Sequence, residues 1–289
     1  PDLLPLKVKD SDENKWVLLV NINPGGPAGG SATQYFVGDF DGKTFTTDQK
    51  KTFWMDHGKD NYAGVTWSDA PGGRQILIGW MNNWEYAGAK PCVKWSGAAT
   101  FPRELGLVKD GSIYLLTSEP VKELDVLYGE SVTLDHLKVN KSELLSDKFE
   151  FGKAPIEIKL TFNQENNTQL GFASRYGVRL KNNKGEYITI GYENLDKLFY
   201  VDRTNATGEV FSDKFASVHS VPYIVNTPEI EWTLLIDVAS VEFFTAEGRV
   251  VVTDVFYPSE PFNTIEVFTE NGNVDIVKGK ITEIRSIWK

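Results

Sequence analysis

Residues 78–87 read Ile-Gly-Trp-Met-Asn-Asn-Trp-Glu-Tyr-Ala, with two tryptophans four apart and two amides, a carboxylate and a phenol around them. Indole faces beside Asn82, Asn83 and Glu85 suit a ligand that is apolar on one face and rich in hydroxyls at its edge, because an aromatic face takes C–H groups while amides take hydroxyls. A sugar has that build. Trp80 sits inside the apolar run ILIGWM and serves equally as core, whereas Trp84 follows the run among asparagines, where packing explains an indole less readily. Glu85 reads as a contact on the leaving-group side or as a solvated loop charge. A second group, Lys-Asp-Asn-Tyr-Ala-Gly at 59–64, puts Asp60 and Tyr62 at the head of an aromatic strand. Asp60 fits either a site carboxylate or a turn cap; Tyr62 fits a site phenol or a half-buried strand residue. Phe-Pro-Arg-Glu-Leu at 101–105 adds Arg103 and Glu104, a pocket-rim pair or a surface ion pair of small weight.

The elements that must hold these side chains are strands. Aromatics make up 12% of the chain, and KWVLLVNI (15–22), TQYFVGDF (33–40), YAGVTW (62–67), QILIGWM (75–81), GAATFP (97–102) and SIYLLT (112–117) are short apolar runs separated by Asp-Gly and Gly-Gly turn signals. No segment carries a convincing 3.6-residue period. Repeated small antiparallel sheets, as in a propeller, are the economical reading, and a single large sandwich is the alternative. The stretch SEPVKELDVLYGESV (118–132) is charged and holds a proline, which places a connector at 121–132 between a unit at 1–120 and another at 133–289. In the second unit, APIEIKLTF (154–162), LGFASRYG (170–177), YITIGYE (187–193), KLFYVDRT (197–204), the hairpin region 231–257 and 265–284 alternate strictly, the pattern of a β-sandwich.

Several function classes drop out. Forty acidic against 30 basic residues, a formal charge of −10, argue against binding a phosphate backbone, so no nucleic-acid partner is expected. No apolar run is long enough to span a membrane. One cysteine, Cys92, permits no internal disulfide, and three histidines are too few for a Cys/His metal cluster, so structural zinc is set aside. His57 reads as a satisfied strand-end residue, and Asp237, Glu242 and Asp254 as solvated or turn charges.

Four stretches carry a resemblance. QYFVGDFDGKTF (34–45), WMDHGKDNYAGVTW (54–67), IGWMNNWEYA (78–87) and FPREL (101–105) resemble, in order and spacing, motifs of the family 32 glycoside hydrolases, the invertases, levanases and inulinases; FYVDRT and IDVASVEFFTAEGRVVVTDVFYP resemble that family's sandwich module. The resemblance implies an all-β fold, part of a five-bladed β-propeller (about blades 3 to 5) followed by a C-terminal β-sandwich. It implies a retaining β-fructosidase acting on fructan (levan or inulin) or sucrose, with two carboxyl groups about 5–5.5 Å apart as nucleophile and acid/base and no metal or organic cofactor needed. The family's nucleophile lies in an Asn-Asp-Pro motif, a stabilising aspartate in Arg-Asp-Pro and the acid/base in Glu-Cys-Pro, and none of these triplets occurs here. Pro1 then matches the proline of the last motif, so no catalytic residue is assigned in this chain and the acid/base is expected just before Pro1, on an N-terminal propeller segment that would be the chain's partner.

By the same resemblance Asp60 and Tyr62 flank the acid/base and one tryptophan, Trp80 or Trp84, lines the fructose pocket; with Asn83 and Glu85 these are the expected substrate-binding residues, and Asp2, Arg103 and Glu104 support the pocket. A non-catalytic fructan-binding or scaffold protein on the same fold is the alternative. The family's Trp-Arg-Ser is replaced by Lys-Trp-Ser at 94–96, so any contact of that arginine is missing. Composition and levanase-like wording favour a secreted or periplasmic bacterial protein, with the triplets at Asn140, Asn166 and Asn205 unglycosylated, and are compatible with an oligomer.

Overall fold

In a computed structural model of the chain, which describes all residues except 93, 96, 150, 153, 165–170 and 288–289, antiparallel strands account for nearly all regular structure. Among the described residues there is no α-helix, only 3-10 turns at Pro71–Gly73 and Lys122–Leu127. Strands are numbered in chain order. In the first unit β1 (Asp2–Lys7), β2 (Asn14–Ile22) and β3 (Ala32–Phe40) pair in succession, and β4 (Phe45–Thr46) and β5 (Phe53–Trp54) both pair with β3. A second sheet runs β10-β9-β7-β6, built from β6 (Tyr62–Thr66), β7 (Gln75–Met81), β9 (Arg103–Asp110) and β10 (Ile113–Pro120), with β8 (Ala98–Ala99) on β7. Leu4, Val17, Leu19, Val37, Leu77 and Leu105 belong to one buried cluster that joins the two sheets face to face.

Within 121–132 the chain makes its second 3-10 turn and enters β11 (Tyr128–Leu134), which already pairs with the last strand, β23 (Val274–Ile284). That sheet continues β23, β14 (Ile156–Asn163), β19 (Glu229–Asp237), β20 (Ser240–Thr245), β21 (Val250–Val255), with β12 (Leu137–Val139) also on β23. The facing sheet runs β13 (Ser142–Leu144), β22 (Thr264–Glu270), β15 (Arg175–Lys181), β16 (Tyr187–Glu193), β17 (Leu198–Asn205), β18 (Val218–Pro222). Their inner faces share one core in which Trp232 is ringed by Phe162, Tyr176, Phe199 and Phe243 at 4.7–5.7 Å between centroids.

The strands expected at 75–81 and 187–193 form over those residues, and most others form within a residue or two. Two depart: GAATFP is reduced to Ala98–Ala99, and LGFASRYG (170–177), whose first residue lies outside the described residues, gives way to a strand at Arg175–Lys181; the polar β9 had no counterpart in the sequence reading. The Asn166 triplet lies outside the described residues, while Asn140 and Asn205 are exposed.

Strand β21 ends its sheet, and an edge strand leaves N–H and C=O groups without a ladder partner. Residues 56–60 of the first unit fill that role. His57 N–H donates to Val251 O (2.8 Å), Asp60 N–H donates to Thr253 O (3.0 Å), and the Asp56 and Asp60 carboxylates accept the N–H groups of Thr253 (2.9 Å) and Val255 (3.0 Å). Gly58 allows the approach: a Cβ there would lie 2.1 Å from Thr253 O. The segment so docked leads directly into β6 and Tyr62, so the domain junction and the aromatic site share one stretch of chain.

Candidate functional site

Three rings gather at one end of the β6–β7 pair. Tyr62 opens β6 opposite Trp80 of β7, ring centroids 6.4 Å apart, and Trp80 meets Trp84 at 4.9 Å and 51°. Tyr62 and Trp80 are partly buried, and Trp84 is 60% exposed. A β-bulge between Tyr62 and Val65, with Ala63 at φ +52°, turns the strand just after Tyr62. Gly79, between Ile78 and Trp80, is required because a Cβ there would meet Asn61 Oδ1 at 2.0 Å.

The loop that carries Trp84 is tied down by the amides around it. Asn83, fully buried, donates from Nδ2 to Lys59 O (2.8 Å), Ser31 O (3.2 Å) and Gly29 O (3.3 Å), and its Oδ1 accepts Glu85 N–H (3.0 Å). Asn82 Oδ1 accepts Asn83 N–H (2.9 Å), and Trp84 N–H reaches Ser31 Oγ (3.3 Å). Glu85 pairs with Lys59 Nζ at 2.7 Å, and Lys59 Nζ also donates to Lys214 O (2.8 Å) of the sandwich. The amides therefore clamp three loops together, and the hydroxyl-facing role first suggested for Asn83 is taken by backbone carbonyls; the exposed indole is held on a rigid mount.

Asp60 faces the sandwich. Its carboxylate is fully buried, accepts Tyr86 O–H (2.5 Å), Arg203 Nη1–H (2.6 Å) and Val255 N–H, and stands two residues before Tyr62. Arg203 also donates to Tyr86 Oη (2.9 Å) and Phe215 O (2.9 Å), lies 3.5 Å from Asp254 and covers the Phe215 ring at 4.2 Å. Burial alone would lower the Arg203 pKa, but Tyr86, Asp60 and Asp254 raise it above the ordinary value, so the cation is secure. Burial and the Asp60 charge hold the Tyr86 phenol far above its ordinary range, so it stays a donor. Asp254 accepts His219 Nδ1 at 2.7 Å, and His219 Nε2 meets Ser217 Oγ at 2.7 Å.

A second buried arginine works from the other side. Arg103 is fully buried, so it makes no surface pair with Glu104; it binds Asp56 (2.9 Å), Glu242 (2.5 Å) and Thr253 Oγ1 (2.6 Å) and lies 4.9 Å from the Phe244 ring centroid. Burial raises Asp56, but Arg103 outweighs it and holds Asp56 below its ordinary value; Glu242, sharing that cation with Asp56, is left above its own by burial. Glu242 and Asp254 thus correct the solvated-charge reading: both are buried, at the junction. Asp237 is exposed as expected.

Glu104, one residue on and on the opposite strand face, accepts Arg74 (2.8 Å), which also holds Glu123. Asp2 bonds the Thr66 hydroxyl and N–H, linking β1 to β6. Among the described residues no group of His, Cys, Asp and Glu is placed to hold a metal, and no helix is long and apolar enough to cross a membrane.

Comparison with known proteins decides the family. The model described as Glycosyl hydrolases family 32 C terminal matches residues 123–283, and that of the Glycosyl hydrolases family 32 N-terminal domain matches residues 1–120. The chain belongs to glycoside hydrolase family 32. A levanase of Bacillus subtilis (strain 168) is 31% identical over the whole chain, which covers 43% of that protein, and an extracellular exo-inulinase of Aspergillus awamori is 30% identical, 55% covered. The crystal structure of an exo-inulinase from Aspergillus awamori superposes with TM-score 0.87 at 29% identity, covering 99% of this chain and 56% of that one. The chain spans about half the length of the curated family 32 relatives it matches.

Asp56, Tyr86, Arg203, Glu242 and Asp254 had no functional part in the sequence reading. The available signal was a charge inside an apolar run: Val-Val-Val-Thr-Asp-Val at 250–255 is buried throughout, and a carboxylate there demands a cation or N–H donors.

Proposed function

We propose that this chain is the C-terminal part of a retaining β-fructosidase that releases fructose from levan, inulin or sucrose, and that the Trp80–Trp84–Tyr62 cluster is the wall against which the fructosyl unit stacks. The observation that carries this reading is an indole 60% exposed yet mounted on a loop that Asn83 and the Trp84 N–H tie to two others, at residues 29–31 and at Lys59. Surface loops that serve no ligand have no use for such a mount, whereas recognition needs rigid aromatic faces. The curated relatives named above are a levanase and an exo-inulinase, which supports a β-fructan as the ligand class.

The carboxylates that break the bond come from an N-terminal propeller segment, with the acid/base immediately upstream of the Pro1 position. This is supported by the state of the buried acids present: Asp56, Asp60, Glu242 and Asp254 are all committed to arginine, histidine or backbone donors, so none is free to act as nucleophile or proton donor. The two five-stranded sheets of residues 1–120 are closing blades of the five-bladed ring. Val65 (61%) and Trp67 (45%), exposed on and beside β6, the last strand of its sheet, belong to the face that the first blade covers. The extracellular naming of the exo-inulinases supports a secreted or periplasmic protein.

The 289-residue chain alone, titrated calorimetrically with a β-fructan oligosaccharide, binds it without cleaving it; joined to a segment carrying the three carboxylates, it releases fructose. Absence both of binding by the chain and of release by the joined protein would end this reading. Binding without release in the joined protein selects the non-catalytic fructan-binding alternative.

A further inference from the structure

We infer that Arg203, on strand β17 of the sandwich, is a positioning residue for the aromatic wall, acting through Asp60 and Tyr86 of the propeller unit. The inference rests on the proposed role of that wall. Its geometric basis is a closed triangle: Arg203 Nη1 to Asp60 Oδ2 at 2.6 Å, Arg203 Nη2 to Tyr86 Oη at 2.9 Å, and Tyr86 Oη to Asp60 Oδ1 at 2.5 Å. All three side chains are buried to 1% exposure or less.

The triangle reaches the wall by the shortest covalent route on both sides. Asp60 is two residues from Tyr62, and Tyr86 is two residues from Trp84, so the two loops that present the rings are each gripped next to a ring by the same guanidinium. Guanidinium is the group for this task, because its donors lie in one plane at fixed angles and set two acceptors relative to each other, which an ammonium cannot do. The grip is itself held from the sandwich side: Arg203 Nε donates to Phe215 O (2.9 Å), the Phe215 ring supports the guanidinium and meets Tyr86 edge-on at 5.3 Å, and Lys214 O accepts Lys59, the partner of Glu85. Stability alone does not call for such a device, since a buried ion pair is often matched or bettered by apolar side chains of similar volume. Its distinctive property is direction: a shift of β17 against the propeller unit is passed to Tyr62 and Trp84 together. The sandwich thereby sets the spacing of the site's walls as well as supporting the propeller.

The test compares the chain with Arg203→Lys, Arg203→Met and Tyr86→Phe after labelling tryptophans with a fluorine probe, reading the Trp80 and Trp84 resonances without ligand, then the affinity for a β-fructan oligosaccharide. Assignment uses Trp84→Phe and Trp80→Phe in the labelled parent. Ile281→Val, a core change on β23, in the other sheet from β17 and four strands from β21, is the control that lowers stability without touching the triangle. Both resonances are expected to move or broaden in Arg203→Lys and Arg203→Met, less in Tyr86→Phe, with binding weakened about tenfold, and to stay fixed in Ile281→Val. If Arg203→Met fails to fold, Tyr86→Phe, which removes one hydroxyl, decides alone. Resonances at their parent positions in every folded triangle variant would overturn the inference. Loss of sugar binding in the parent would instead strike the proposed function, leaving the resonances to judge the positioning role by themselves.

Discussion

The interior of the sandwich and the junction between the two units are both buried from solvent, yet they are built on opposite plans. In the sandwich core the contacts are aromatic and aliphatic, with Trp232 at the centre and no charge among the clustered residues. At the junction, two arginines, two aspartates from residues 56–60 and two acids from β20 and β21 are buried to a few per cent or less, each in directed hydrogen bonds. Apolar burial is indifferent to a small slide of one face over another, whereas a guanidinium between two carboxylates is satisfied in one register only. The first plan supplies stability; the second fixes how the units sit, and with it the loops bearing Tyr62 and Trp84.

The comparison breaks first where the core is emptied. Trp232→Ala removes the ring that touches four others and is expected to cost about 3–5 kcal/mol, read from the shift in denaturant midpoint. Arg103→Met should follow at about 3 kcal/mol, since it strands Asp56 and Glu242 in the buried junction. Adding Asp56→Asn and Glu242→Gln to Arg103→Met should recover part of that loss. A triple variant no better than the single would mean that shape, and not unpaired charge, sets the cost.

Gly58→Ala sharpens the distinction without altering charge. Its Cβ would press on the Thr253 backbone, so residues 56–60 must lift from β21, at about 1–3 kcal/mol. Scanning calorimetry should then show the sandwich melting apart from the propeller unit, where the parent shows the two coupled; an unchanged single transition would contradict the docking role given to this segment.

Acid titration probes one carboxylate of the junction. Asp56 has its folded pKa held below its ordinary 3.8, so its stabilising contribution is complete above 3.8 and is lost as pH falls below that value through the folded pKa. The stability gap between parent and Asp56→Asn should therefore be constant at neutral pH and close only as pH falls below 3.8. A gap that widens on acidification would show that Asp56 is not held in its charged form by Arg103.

How much of this was legible in the sequence follows from the range of each interaction. Strands such as 75–81 and 187–193 declare themselves through side-chain alternation and flanking turns, both local. Strand β9 hides because its first residue, Arg103, looks like surface while facing the interior, and the cause is Glu242, 139 residues away. Asp60 was singled out as a substrate-binding carboxylate, but its partner, 143 residues on, is Arg203, so its direction was not legible. The four junction acids are ordinary strand or turn charges until the two units meet. The aromatic cluster was legible because Tyr62, Trp80 and Trp84 lie on two paired strands and the loop that follows.

Trp84→Ala carries the smallest expected change in stability and the sharpest functional one. With 60% of its surface in solvent, the indole contributes little to the folded state; removing it should shift the denaturant midpoint by no more than about 0.5 kcal/mol, an ordinary surface effect. Its loop stays in place, because the ties run through Asn83, Glu85 and Tyr86 and not through the ring. Binding of a β-fructan oligosaccharide should nevertheless fall by tenfold or more, about 1.4 kcal/mol or above, because a stacked sugar loses the face it lies on. Trp232→Ala and Trp84→Ala then form a crossed pair, one changing stability with the aromatic wall untouched, the other changing recognition with stability untouched. If Trp84→Ala destabilises the chain as a core change does, the ring is packing and the wall must be sought elsewhere; if it leaves both quantities alone, the rigid mount holds something other than a sugar.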